Sequence, residues 1–179
     1  MRRILWLPLV LLATLHAEDT KPGFPASWKG SWKGPCRVVR AGQPDLSFPM
    51  ELHVAPIEES GRWTWRIVYG EGAQRQERAY ELVPKEGNHY VIDEKNSILI
   101  DSYLEGENLR SRFGVSGNSL EVTYARRGDE LDVTITTFAA RPVRTSGGEA
   151  RVPPVTSYAL KAVQRATLRR SAPADSTGK

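Results

Sequence analysis

Between residues 48 and 138 apolar and polar side chains alternate with the two-residue period of half-buried strands. Phe48, Met50, Leu52 and Val54 stand opposite Glu51 and His53, and Trp63, Trp65, Ile67 and Tyr69 stand opposite Arg62, Thr64 and Arg66. Tyr80 and Leu82 follow, then a short piece at Tyr90-Val91-Ile92. Ile98, Ile100, Ser102 and Leu104 form the next face, then Leu109, Ser111, Phe113 and Val115. Leu120, Val122 and Tyr124 precede Leu131, Val133 and Ile135. This pattern predicts eight strands, with a further short one at 36–40. Residues 155–168 read as a strand carrying Tyr158, Leu160, Ala162 and Leu168 on one face, although their Ala, Leu and Gln content also suits a helix. Residues 139–154 read as an irregular loop, and 171–179 as a disordered tail.

Turn residues separate these segments at Gly61, Gly72, Gly87, Asn96, Gly106, Gly117 and Gly128. Such short intervals leave no length for crossover helices, so neighbouring strands must run antiparallel. The expected fold is therefore all-β: an up-and-down meander of about 8–10 strands, in one domain over 18–170. Closing the meander into a barrel removes its edges. Eight strands give an interior that side chains can fill; ten leave space for a ligand.

Ahead of the strands stands a tandem repeat, Ser27-Trp28-Lys29-Gly30 and Ser31-Trp32-Lys33-Gly34. Gly30-Ser31-Trp32 resembles the Gly-x-Trp motif that opens lipocalin and other calycin barrels, and its extension to Gly34 is similar to the start of nitrobindin-like haem barrels. The resemblance implies that Trp32 plugs one barrel end and that an arginine of the last strand, Arg165 or Arg169, lies over it as a cation–π partner. It also implies a haem ligand in the C-terminal part. This chain has no His after His89, and Pro35-Cys36 replaces the next glycines, so no haem or other cofactor is expected.

The N-terminus carries Arg2-Arg3, a twelve-residue apolar run from Ile4 to Leu15, and then His16-Ala17 before Glu18. This is the pattern of a secretory signal over 1–17, too short to span a bilayer. The expected mature protein is extracytoplasmic, periplasmic or secreted, without an integral membrane segment. Of the 179 residues one is Cys and three are His, which excludes a disulfide scaffold and poorly supplies a metal site. Cys36 reads as a buried small hydrophobe, with an intermolecular disulfide as the alternative.

The net charge of +4 belongs to the end of the chain. From Arg141 onward eight basic residues face only Glu149 and Asp175, so residues 18–140 are acidic. A nucleic-acid-binding domain should carry its basic face within the fold, so no nucleic-acid partner is expected.

The chemistry in sight is that of binding. Trp63, Trp65, Tyr69, Tyr80, Phe113 and Tyr124 share the inward face, with Ser102 and Ser111 among them. Such a surface either lines an apolar pocket with a few orienting hydroxyls or fills the interior. No arginine is read as facing inward, so an anionic head group has no expected counterpart. Asp101, Glu121 and Asp132 fall on the outer faces beside Arg110 and Arg112, as a cross-strand charge ladder.

Three functions follow, in order of preference. The first is a non-enzymatic carrier of a small apolar or amphipathic ligand. The second is a filled barrel acting as an envelope interaction or inhibitor module through residues 139–154 or Cys36. The third is a hydrolase or isomerase built on Asp93, Glu94, Asp101 and Glu121.

Overall fold

A computed structural model describes residues 23–171. The expected signal at 1–17 and residues 172–179 of the expected tail lie outside the described residues. The chain forms ten antiparallel strands: β1 (Gly30–Arg40), β2 (Leu46–Pro56), β3 (Trp63–Tyr69), β4 (Gln76–Pro84), β5 (His89–Asp93), β6 (Leu99–Glu105), β7 (Asn108–Val115), β8 (Asn118–Arg127), β9 (Glu130–Ser146) and β10 (Val155–Arg170). Each pairs with its neighbours in sequence, and β1 pairs with β10, so the meander closes into a barrel. The expected all-β barrel is the observed one, and 155–168 is strand rather than helix.

Alternation explains the strands. Met50, Leu52 and Val54 of β2 are buried, and so are Trp65 and Ile67 of β3 and Leu131 and Val133 of β9, while the residues between them are more exposed. A one-residue slip would turn every such series outward, so the buried face sets the register.

Two boundaries differ from the sequence expectation. β1 begins at Gly30, not 36, because the Gly-x-Trp segment is itself paired with β2 from Gly30↔Val54 onward. Residues 139–146 belong to β9 rather than to a loop, because β9 and β10 go on pairing as far as Ser146↔Val155, and only 147–154 form the connection. β8 pairs with β9 only as far as Asn118↔Ala139, so the outer part of the β9–β10 ribbon has a free edge. That edge is where Pro142 is tolerated, since it has no N–H to contribute.

The two ends of the barrel differ. One end is closed by a 3-10 turn, Ala26–Trp28, and by aromatic packing. Phe24 meets Trp28 and Tyr90 edge-on at 4.8 and 4.9 Å, and Trp28 lies 6.2 Å from Trp65. Trp28, Trp32 and Trp65 are all fully buried. The other end carries the 41–45, 70–75 and 94–98 connections and the ribbon. Exposed Leu46, Ile98, Leu99 and Val115 stand at this open end, and exposed Val143, Val155, Tyr158 and Leu160 stand on the ribbon.

Closure depends on a close approach between the first and last strands. A Cβ on Gly34 would lie 2.1 Å from the Thr167 carbonyl oxygen and 3.1 Å from Leu168 Cα, both backbone atoms. Replacing Gly34 by alanine is expected to force β1 away from β10 and cost about 1–3 kcal/mol, the range for an overpacked site. Denaturant unfolding of Gly34→Ala against the parent chain measures this, and an unchanged midpoint would contradict the contact.

Candidate functional site

Trp32 is fully buried at the closed end of the barrel, and neither Arg165 nor Arg169 covers it. The guanidinium of Arg170 lies 4.1 Å from the centre of the Trp32 ring. The reason is strand parity. Ala166 and Leu168 of β10 are buried with the inward series that ends at Arg170, whereas Arg165 and Arg169 face outward and are exposed. Arg170 is also held by hydrogen bonds to the carbonyls of Lys29 and Ser27, the latter at 3.0 Å, and to Asp129 at 3.0 Å. Trp32 Nε1 donates to the Trp28 carbonyl at 2.9 Å, which ties the plug to the barrel wall. Gly30, at φ 133°, allows the chain to turn from the plug into β1.

Above the plug a cavity of about 140 Å3 opens among Trp65, Tyr69, Tyr80, Ser111, Phe113 and Tyr124, with Ile67, Ile92, Ile100, Leu120, Val122, Ile135 and Glu94 completing its wall. Six of the eight interior residues expected from the sequence therefore meet around one space. Trp63 does not: it packs half-buried near the closed end, directly opposite Leu82. Ser102 does not either. It is fully buried behind Ser111, its register partner, with the two hydroxyls 2.7 Å apart. Alternation puts both on the inward face but does not say how deep along the barrel axis each lies.

The cavity is apolar with few polar groups. Burial pushes the Tyr124 phenol far up, and it holds Tyr69 up at about 12, so both keep their protons at neutral pH. Trp65 Nε1 is buried without a hydrogen-bond partner, while its ring meets Tyr124 edge-on at 5.0 Å.

A second, larger hollow of about 670 Å3 lies at the open end, lined by Phe48, Tyr69, Gln76, Arg78 and Gln164 beneath the 70–75 connection. It shares Tyr69 with the inner cavity. Contrary to the expectation of no inward arginine, Arg78 continues the inward Leu82–Tyr80 series of β4, two residues from Tyr80. Cys36 also faces inward. It is fully buried beside Gln164, its thiol pushed up to about 11 by burial. A thiol so placed is not available for the intermolecular disulfide considered from the sequence.

The carboxylates are engaged separately. Asp93 accepts the Lys95 N–H in a turn, Asp101 pairs with His89 at 2.8 Å, and Glu121 faces Arg112 at 3.6 Å. Asp132 lies 3.5 Å from Arg127. Asp101, Glu121 and Asp132 thus lie on the outer wall, but of the two expected arginines only Arg112 pairs with one of them, and Arg110 pairs with Glu105 at 2.9 Å. Among the described residues, no cluster of His, Cys, Asp or Glu is suited to hold a metal.

On the outer wall Ser31 stands directly opposite His53, with its hydroxyl 2.8 Å from Nδ1, and His53 Nε2 lies 3.1 Å from Glu51. A carboxylate only accepts, so Nε2–H donates to Glu51 and Ser31 donates to Nδ1. Lys33 occupies the other Glu51 oxygen at 2.9 Å. The result is a polar cross-strand ladder.

Burial, together with nearby Arg66, lowers the His53 pKa from its usual 6.5, and the hydrogen bond from Lys33 lowers that of Glu51. The folded state thus binds fewer protons than the unfolded chain at His53, and stability falls as pH drops below about 6.5. Glu51 adds to this only in the carboxylate range, where its contribution is lost as it protonates. Thermal midpoints at pH 7.5 and 5.5 are expected to fall more for the parent chain than for His53→Gln. Equal drops would contradict the assignment.

No family model matches this chain, and no curated protein matches it. Among solved structures it is similar to a DUF3598-family protein of unknown function from Nostoc punctiforme, with a TM-score of 0.56 at 11% identity over 80% of this chain. The chain spans about half of that protein, 47% of its length. It is also similar to Rv2717c from M. tuberculosis, with a TM-score of 0.43 and 13% identity over 80% of this chain and 92% of the other. At such identities the Nostoc likeness speaks for the barrel fold alone.

Proposed function

We propose that this protein is an exported, non-enzymatic carrier that holds a small apolar or amphipathic ligand in the open half of its barrel. The observation that carries the reading is the 140 Å3 cavity among Trp65, Tyr69, Tyr80, Phe113 and Tyr124. A dry apolar cavity of about 150 Å3 takes up a benzene ring, so the inner space suits one ring or the end of an alkyl chain. It is small against the roughly 300–1,000 Å3 of drug-sized sites, and the 670 Å3 hollow next to it has space for the rest of a larger ligand. The Gly30-Ser31-Trp32 entrance, with its covering arginine, supports a calycin-like relationship. The charged and apolar N-terminus supports export.

A second reading rests on the ribbon. Val143, Val155, Tyr158 and Leu160 are exposed there beside Arg141 and Arg144. Exposed apolar groups clustered on a projecting element mark interaction surfaces, which favours a module that acts through a partner.

One titration separates the two. A hydrophobic fluorescent dye is expected to bind the parent chain and to lose affinity at least about tenfold in Leu120→Trp, whose indole would occupy the cavity, with the fold retained by circular dichroism. A parent chain that takes up no dye would remove the carrier reading and leave the ribbon as the functional surface.

A further inference from the structure

Two side chains that line the outer hollow, Arg78 and Gln164, carry donors without a partner among the described residues. Arg78 lines the outer hollow and makes no ion pair or hydrogen bond with any described residue. It stands close enough to influence both the Tyr69 and Tyr80 phenols. Across the mouth, Gln164 lies beside Tyr69 and Cys36, and its Nε2 is buried with no acceptor. Arg40 extends the same inward series of β1, two residues beyond Val38, the register partner of Gln164. Its Nε is likewise buried and unpartnered.

A buried donor without a partner costs roughly 1–3 kcal/mol, and native interiors seldom leave several at one place. At the outer hollow the exposed Arg78 guanidinium, the buried Gln164 amide and the protonated Tyr69 phenol therefore meet, with neither Arg78 nor Gln164 Nε2 engaged by a hydrogen bond or ion pair among the described residues. Among the described residues Glu94 is the only acid lining either hollow, and it sits by Tyr80 in the inner one. Below the donors lies the apolar cavity.

We propose that the mouth is an oxyanion head-group site, and that the ligand is a single-chain anionic amphiphile. Its carboxylate or phosphate lies between Arg78 and Gln164, and the end of its alkyl chain enters the cavity among Trp65, Tyr80 and Tyr124. A guanidinium suits this role because its planar fork offers two parallel N–H bonds to carboxylate or phosphate. The inference rests on the carrier reading and adds the chemical class of the ligand to it.

The test compares four probes with the same twelve-carbon chain: laurate, dodecyl phosphate, dodecanol and dodecylammonium. Each is titrated at pH 8 and below its micelle concentration, by displacement of a hydrophobic dye. The anions are expected to bind at least about tenfold more tightly than dodecanol, and dodecylammonium more weakly still. Laurate against dodecyl phosphate tells which oxyanion the site prefers. Arg78→Gln and, separately, Gln164→Leu are expected to remove most of the preference for anions while leaving dodecanol affinity within about twofold. Arg78 is exposed and unpartnered, so its replacement leaves the fold intact. Dodecanol or dodecylammonium binding as tightly as laurate would overturn the head-group site and leave the cavity standing. So would an anion preference that survives Arg78→Gln. Binding of none of the four would overturn both.

Discussion

The closing contact between β1 and β10 is the constraint on which the rest of this barrel depends. Ten strands joined by nine sequential hairpins leave two unpaired edges, and only their union satisfies the backbone groups of both. The union is crowded at Gly34, where backbone meets backbone, and is locked by Arg170 lying on Trp32. A desolvated cation–π contact is worth up to about 2 kcal/mol. Here the same guanidinium also joins the plug segment to the β8–β9 turn through Ser27, Lys29 and Asp129.

Closure in turn decides where space remains. Three buried tryptophans and Phe24 crowd one end of the interior. Large rings stacked at one end of a ten-stranded barrel cannot also fill the other, and smaller Ser111, Val122 and Ile135 leave the cavity there. The polar groups follow the same axis: buried hydroxyls midway, then Gln164, Arg40 and Arg78 toward the rim. The result is an interior graded from aromatic plug through apolar cavity to cationic mouth, which is the order of chemistry in a chain with a charged head.

Much of this was legible in the chain. Two-residue alternation placed the strands and their inward faces, because a half-buried sheet has no other way to be amphipathic. Gly30-Ser31-Trp32 drew attention to Trp32, which is fully buried at the closed end. The arginine over it is Arg170 rather than Arg165 or Arg169, because those two lie on the polar face and the inward series Ala166–Leu168 leads to Arg170. The ribbon at 139–146 was missed because its Arg, Pro and Thr content reads as loop, while a two-stranded ladder needs backbone pairing rather than an apolar face. Arg78 is not legible as inward because a charged residue at the exposed end of β4 reads as solvent-facing, although it continues the Tyr80–Leu82 series and stands opposite Ile67. Which residues face one another across the lumen depends on strand stagger, and that is why Trp63 and Ser102 could not be separated from the cavity in advance.

The most direct test of a hollow, occupied barrel is native mass spectrometry of the protein purified from its own host without detergent, set beside the same sample denatured. The account predicts a reproducible extra mass of a few hundred daltons that disappears on denaturation. A native mass identical to the bare chain would contradict it.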